Sequence, residues 1–494
     1  MKTTVKRLLA LLCAVAVGAA TMASCKKDTV DQTSSEEYEI EYIYETESGD
    51  ETASGDVDAT SNGDNSSKNN PSKNNPSKNN PSKNNPSKNN SSTPGVIKQS
   101  GSYHKWDYSA FKGKTVTFAM WSDFVKPYAE DAIKLFEKET GMKFKYMDVP
   151  QADYVKTVTG KIAAGTAPDV VIENSSFPAT MAILQPVNDY VDLSDAIWDK
   201  RYSEAYTING KTYALSCEAS LFGGAGATNL LWYNKTYLKK AGVPEPAQLY
   251  AAGNWTWDTL GELMKQYEAS PTKVKGTGAM FSDDAYFLSS IGASFYNYDP
   301  NTATFTSNIN DPLLSKAITK MAEWSKAGYY INSNLLGGGA AMQLTFTITK
   351  KDVQSAKVSL NDLGFTYAPD FDKDNKIVTT ISGKGWGICK GAKNPEAAGI
   401  FIKYYSDPGN YDTSEFFVSD EFTDLFFKAK TMEAKKFRNL GYGVLEASGE
   451  KADKYWNVGK SADPNQVAPY LNAMKNNVAT EAAEATKVLQ NAIK

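Results

Sequence analysis

Between Ser67 and Asn90 the chain repeats Ser-Lys-Asn-Asn, with copies starting at Ser67, Ser72, Ser77, Ser82 and Ser87 and single prolines joining them. An acidic stretch, Glu36–Asp64, runs into these copies. Such a segment has too little apolar surface to offset the entropy of ordering, so it reads as a disordered tether. The short repeat is a spacer and not a solenoid. A flexible coil of about 79 residues spans roughly 50 Å on average and more when stretched. Any core must therefore be built from the part of the chain that follows.

Ahead of the tether, Lys2, Lys6 and Arg7 precede an apolar run from Leu8 to Ala20, which is too short to span a bilayer in the mature protein. Small residues then lead to Cys25, in the order Thr21-Met22-Ala23-Ser24-Cys25. This order reads as a secretory signal over residues 1–24. It resembles a bacterial lipobox, in which cleavage leaves Cys25 first and its sulfur carries the lipid. A tether over residues 25–105 and a folded body over residues 106–494, held at the outer face of the membrane, are expected. A lipid anchor with a long tether fits a Gram-positive envelope.

Cys13 leaves with the signal, so Cys217 and Cys389 are the cysteines of the body. Two cysteines make no disulfide framework. They could pair with each other, but their apolar settings favour buried free thiols. Lys+Arg 53 against Asp+Glu 57 gives a net charge of −4, with no basic cluster to draw nucleic acid.

The roughly 390 residues from Trp106 exceed what one core usually supports and favour two lobes. Thr115–Met120 reads as a buried strand. Val125, Tyr128, Ala129, Ala132, Ile133 and Phe136 then recur at helical spacing up to Gly141. Lys143–Val149 reads as strand, Tyr154–Ala164 as helix and Asp169–Ile172 as strand, which predicts a mainly parallel sheet. Asn209-Gly210 between apolar runs signals a type I′ hairpin. Asn394-Pro395-Glu396 starts a helix that Asp407-Pro408 ends, and Val478–Ile493 reads as a closing helix.

Several stretches carry a family resemblance: Ala164-Gly165-Thr166-Ala167-Pro168-Asp169-Val170-Val171, Ile208–Leu215, Leu231-Trp232-Tyr233-Asn234-Lys235 and Asn254-Trp255-Thr256-Trp257-Asp258. Gly339-Ala340-Ala341-Met342, Gly385-Trp386-Gly387-Ile388 and Lys393–Ala398 follow in the same order. In this order they resemble the bacterial extracellular solute-binding proteins that include the maltose- and oligosaccharide-binding proteins, over residues 113–494. The resemblance implies an α/β fold of the two-lobed, type II periplasmic-binding-protein kind, with a ligand cleft between lobes joined by a hinge. Lobe 1 is expected over about 106–218 plus part of the region after 345. Lobe 2 is expected over about 222–340 plus part of the C-terminal region. The function implied is capture of a carbohydrate, an oligosaccharide by family analogy, and its delivery to the permease subunits of an ABC importer. The ATPase and permeases would be other chains, and the binding protein itself a monomer.

Sugars present apolar faces and hydroxyl pairs, so flat aromatic rings and planar polar groups near strand ends are the candidates. Trp121 and Asp123 follow the first strand, and Asn174 and Ser175 follow the strand ending at Glu173. Glu218 falls at the implied first crossover. Asp283, Asp284 and Tyr286 fall where relatives offer an acid and an aromatic, and Phe346 where relatives carry a stacking ring. Trp386, between two glycines at the implied second crossover, is the leading platform candidate. Trp232 and Tyr233 read as core.

No cofactor or metal is expected. The single histidine, His104, lies just after the tether, where no packed pocket is expected around it; this argues against His-dependent triads and metal sites. There is no Gly-x-Ser-x-Gly elbow and no phosphate-binding Gly-rich loop. A glycosidase needs only two carboxylates, so a secreted carbohydrate-active enzyme is the alternative, with a stalked adhesin or a binder of another polar solute behind it.

Overall fold

A computed structural model of the chain describes residues 99, 101–120, 125–150, 153–173, 176–217, 221, 225–226, 230–331, 333–345, 347–354, 356–373, 379–381, 385–431, 436–438, 440–451, 454–455 and 457–494. The expected signal segment, Cys25 and the Ser-Lys-Asn-Asn tether lie outside these residues.

The first α/β region runs through β1 (Thr115–Met120), α1 (Val125–Thr140), β2 (Lys143–Asp148), α2 (Tyr154–Ala163), β3 (Val170–Glu173) and β4 (Leu184–Gln185). Gly141, at φ 68°, and Gly165, at φ 69°, take the left-handed backbone that stops α1 and α2. After α3 (Lys200–Ala205), β5 (Thr207–Ile208) and β6 (Lys211–Thr212) form the expected hairpin. Its turn residues Asn209 and Gly210 both have positive φ, 52° and 74°, as a type I′ turn requires. A two-residue strand, β7 (Ala225–Gly226), leads out of this region.

A second α/β region follows. It runs through β8 (Leu230–Asn234), α4 (Trp257–Ala269), β9 (Gly278–Phe281), α5 (Asp284–Ile291), the hairpin of β10 (Tyr296–Asp299) and β11 (Thr304–Ser307), α6 (Pro312–Lys326), β12 (Ala340–Thr345) and β13 (Leu363–Tyr367). The chain returns through β14 (Thr379–Ile381) to β15 (Gly385–Cys389) and α7 (Pro395–Ser406). It then continues through α8 (Asp420–Thr431), β16 (Lys436–Arg438), α9 (Gly441–Ala447), α10 (Val458–Ser461) and the long α11 (Val467–Ala492).

Two sheets organise these elements. The first has the order β2-β1-β3-β15-β4; its first three strands are parallel and β15 runs antiparallel to β3. The expected parallel sheet is thus completed by a strand from the far end of the chain. The second sheet has the order β13-β8-β12-β9, antiparallel except for the β12–β9 pair. Each carries its own aromatic core. In the first, Phe401 of α7 meets Phe118 of β1 and stacks on Phe144 of β2, with centroids 5.8 and 5.2 Å apart. In the second, the fully buried Trp232 packs on Phe365 and on Phe422 of α8. Trp257 at the start of α4 packs on Phe287 and Trp324, stapling that helix to its neighbours. Thr256 caps α4, accepting from the Thr259 amide.

The chain passes between the two regions at β7 and again at β14. These strands pair with each other and with β16 in a three-stranded sheet, order β16-β14-β7.

The expectation for His104 is corrected. Tyr103–Lys105 lies against α1 and α7, with His104 Nδ1 2.8 Å from Glu139 Oε2 and its ring 4.1 Å from Tyr103 and 5.4 Å from Tyr404. The aromatic residues Tyr103, Trp106 and Tyr108 are the reason. Tyr103 donates to Asp407 at 2.7 Å, and the Lys403 ammonium sits 4.3 Å from the Trp106 ring. Cys217 and Cys389 are buried free thiols. Among the described residues no helix is long and apolar enough to cross a membrane.

The C-terminal helix is fastened by one buried carboxylate. Glu481 of α11 accepts from Tyr296 at 2.6 Å, from Tyr455 at 3.0 Å and from Lys454 at 2.7 Å. Glu481→Ala strips Tyr296 and Tyr455 of this acceptor and leaves Lys454 with Glu450 alone, and a loss of about 3–5 kcal/mol is expected, read as a lower urea midpoint at unchanged slope. Glu484→Ala, which removes an exposed pair with Lys487 on the same helix, should scarcely move the midpoint.

Candidate functional site

In open α/β sheets, ligands bind outside the carboxyl ends of strands where the strand order reverses. Here β1 is flanked by β2 on one side and β3 on the other, so the reversal falls between β1 and β3. Their ends are Met120 and Glu173. The Tyr154 hydroxyl locks these ends together, donating to the Ala119 carbonyl at 2.8 Å and accepting from the Ile172 amide at 3.0 Å. Burial pushes the Tyr154 pKa far above its ordinary value, so it stays a neutral donor. Glu173 is fully buried and accepts from Tyr202 at 3.1 Å and Thr180 at 3.3 Å. Trp121 and Asp123 directly follow the first of these ends, and Asn174 and Ser175 the second. These four lie outside the described residues, as do Glu218 and Phe346.

The second sheet offers a matching pair of ends. The parallel strands β9 and β12 are aligned Phe281 with Gln343, which places Asp283 beside the end of β12. Tyr286, on the first turn of α5, is hydrogen-bonded to Thr345, the last residue of β12; burial, helped by the Asp283 charge, pushes its pKa up to about 12. The Asp283 side chain remains 21% exposed, and burial raises its pKa against the opposing pull of Lys460.

Asp284 turns the other way. It is fully buried, and its Oδ2 accepts from the Gly459 amide at 2.6 Å and the Lys460 amide at 3.2 Å at the start of α10. Its Oδ1 has no hydrogen-bond partner among the described residues. Burial, the largest cause, raises its pKa from 3.8 to about 6, opposed by the Lys460 charge and by the two amides. Asp284 thus clamps α5 to α10 and leaves Asp283 as the acid open to the end of the sheet.

Trp386 is placed inside the first core. It is 1% exposed and meets Phe118 and Tyr405 edge-on at 5.6 and 4.9 Å. The flanking glycines serve close packing rather than an outward-facing ring. A Cβ on Gly385 would come 2.1 Å from the Tyr202 hydroxyl, and one on Gly387 2.2 Å from Leu184 Cδ2.

Two groups without a sequence signal join the strand ends. Glu446 of α9 is hydrogen-bonded to Ser176, just past β3, and Tyr442 lies one turn before it. Glu446 is open to solvent yet crowded by protein, and that crowding raises its pKa. Lys460 stands beside Asp283, its ammonium 3.9 Å from Asp283 Oδ1.

Residues 131–416 match the family described as bacterial extracellular solute-binding protein. The chain belongs to this family. As a solute-binding protein it is 22% identical over 316 residues to the maltodextrin-binding protein MdxE of Bacillus subtilis, covering 60% of this chain and 70% of the relative. Its fold is that of two-lobed binding proteins. The galacto-N-biose-/lacto-N-biose I-binding protein of Bifidobacterium longum superposes with a TM-score of 0.55 at 15% identity, covering 77% of this chain and 98% of the other. The GacH receptor of Streptomyces glaucescens gives 0.53 at 19% identity, with the same coverage. The sugar-binding protein MalE of Xanthomonas citri gives 0.53 at 14% identity, covering 76% and 98%.

The buried acid of this solute-binding protein gives a signed pH dependence. A carboxyl whose pKa rises from 3.8 to about 6 on folding favours the folded state fully below about pH 3.8, and this contribution is lost as pH climbs to about 6. Asp284→Asn has no proton to release. The stability of the wild type relative to this variant should therefore fall by about 2 kcal/mol between pH 4 and pH 6 and level off near pH 7. Urea titrations of both proteins across that range check it, and parallel pH curves would contradict the shifted acid.

Proposed function

We propose that this chain is a lipid-anchored surface protein that captures an oligosaccharide between its two lobes and delivers it to the permease of an ABC importer. The observation that carries the reading is the pairing of two sets of strand ends, β1 with β3 and β9 with β12, on lobes joined by a sheet of connecting strands. That arrangement supports a cleft able to close on a ligand. Membership of the solute-binding family supports it further, and the maltodextrin-binding relative favours a carbohydrate as the solute.

In this reading lobe 1 spans about 106–218 plus part of the region after 345, and lobe 2 spans about 222–340 plus part of the C-terminal region. Asp283 and Tyr286 face the ligand from lobe 2, with Phe346 following β12. Trp121, Asp123, Asn174 and Ser175 face it from lobe 1, and Glu218 from the first crossover. Acidic side chains accept from sugar hydroxyls and aromatic rings cover the C–H faces. Cys25 carries the lipid and residues 25–105 form the tether, so a Cys25→Ser protein should leave the membrane fraction.

A thermal-shift screen of residues 99–494 against malto-oligosaccharides, other oligosaccharides, amino acids and peptides tests the ligand class. A ligand at a hundredfold excess over its Kd stabilises by about 2.7 kcal/mol, which raises Tm by several degrees. The expected result is a rise confined to oligosaccharides, with the sugar recovered intact. A rise with amino acids or peptides alone would overturn the carbohydrate reading, and cleavage of the sugar would overturn the binding-protein reading.

A further inference from the structure

Lys460 comes from a part of the sequence 177 positions beyond Asp283, and several contacts fix where it stands. Its amide donates to Asp284 Oδ2, and its carbonyl accepts from the Ser325 hydroxyl at 2.8 Å. The preceding Gly459 permits the close approach of α10, since a Cβ there would lie 2.6 Å from Met321 Cβ and 3.2 Å from Asp284 Oδ2. The backbone of Lys460 is thereby held on both sides, by α5 and by α6.

The side chain runs over two rings at the edge of the second sheet. The ammonium lies 5.2 Å from the centroid of Tyr330 and 6.0 Å from that of Phe281. Tyr330 extends the sheet beside β9, where it is bridged to Met280. Asp283 Oδ1, at 3.9 Å, is the ion-pair partner of Lys460 among the described residues, and both side chains are about one fifth exposed, 22% and 21%. This separation exceeds that of a charge-assisted hydrogen bond, so the donors of one group and the acceptors of the other are not used up on each other. Asp284 is already committed to backbone amides.

We propose that Lys460 is a specificity-determining residue of the ligand site, forming with Asp283 a donor–acceptor pair that takes two neighbouring hydroxyls of one sugar ring. The inference rests on the oligosaccharide reading above and deepens it. The pair is electrically neutral, so it suits an uncharged polyol better than an anion or a cation. A hydroxyl donates to the Asp283 carboxylate and its neighbour accepts from the Lys460 ammonium. The Tyr330 and Phe281 rings behind the stem keep the ammonium from swinging away. A sugar lacking either hydroxyl leaves one partly buried charge without its partner, which is the strongest form of discrimination a polar site offers.

Calorimetric titration with maltose, maltotriose, maltotetraose, cellobiose and lacto-N-biose tests this on five proteins: wild type, Lys460→Met, Lys460→Arg, Asp283→Asn and the Asp283→Asn/Lys460→Met double variant. The tightest sugar for the wild type should bind Lys460→Met and Asp283→Asn roughly 10–100-fold more weakly, with Lys460→Arg between them and the wild type. The Asp283→Asn/Lys460→Met double variant should lose little more than the worse single one, because the two groups act on one ring. Ligand-free Tm values of the variants should stay near that of the wild type, since a partly exposed pair adds little stability. Binding by Lys460→Met within twofold of the wild type overturns the assignment of Lys460 and leaves the oligosaccharide reading intact. If none of the five sugars binds the wild type, the oligosaccharide reading fails for this panel and the subsite falls with it.

Discussion

Three short strands from distant parts of the chain, β7, β14 and β16, pair into one small sheet, and the division of the body into two lobes depends on that pairing. β7 lies between the last strand of the first hairpin and β8. β14 lies between β13 and β15 and also contacts α3 and α5, one helix from each region. The two main sheets share no strand; each is closed by its own aromatic core and by helices that cover it. A joint of a few hydrogen-bonded residues between two densely packed bodies concentrates any relative motion in the backbone of the joint, since close-packed cores do not deform continuously.

The acids at the strand ends divide into two kinds. Glu173 and Asp284 are fully buried; Glu173 accepts from two hydroxyls and Asp284 Oδ2 from two backbone amides, which holds the loops around them in one geometry. Asp283 and Glu446 keep contact with solvent while protein crowds around them. That division accounts for raised pKa values with different consequences. In Asp284 the shift is a cost borne by the fold, whereas in Asp283 and Glu446 burial raises the pKa of carboxylates that still touch water.

Much of the first region was legible in the sequence because local signals and tertiary structure agree there. Thr115–Met120 is an uninterrupted strand former, Asn209-Gly210 can only be a tight turn, and Asn394-Pro395 opens a helix whatever packs against it. The long α11 begins at Val467, well before the expected Val478. Asn472, Asn476 and Asn477 weaken its helix propensity, while burial of Leu471 and Met474 overrides them. The connecting sheet left no trace, because strands of two or three residues carry no periodicity. In the site, Asp283 and Asp284 are neighbours with the same chemistry, and only the position of α10 decides which one is buried. Trp386 illustrates the same limit from the other side: glycines that admit a large ring and glycines that admit a neighbour's ring look alike in a sequence. Lys460 reaches the strand ends through tertiary contacts that no local pattern encodes.

The central claim is that two rigid lobes close on a sugar about the three-stranded joint, and small-angle X-ray scattering of residues 99–494 with and without maltotetraose tests it most directly. The account predicts a smaller radius of gyration with the sugar, and a return to the starting value when the sugar is dialysed away. A radius of gyration that stays the same while calorimetry shows the sugar bound would contradict closure and place the ligand on a static surface.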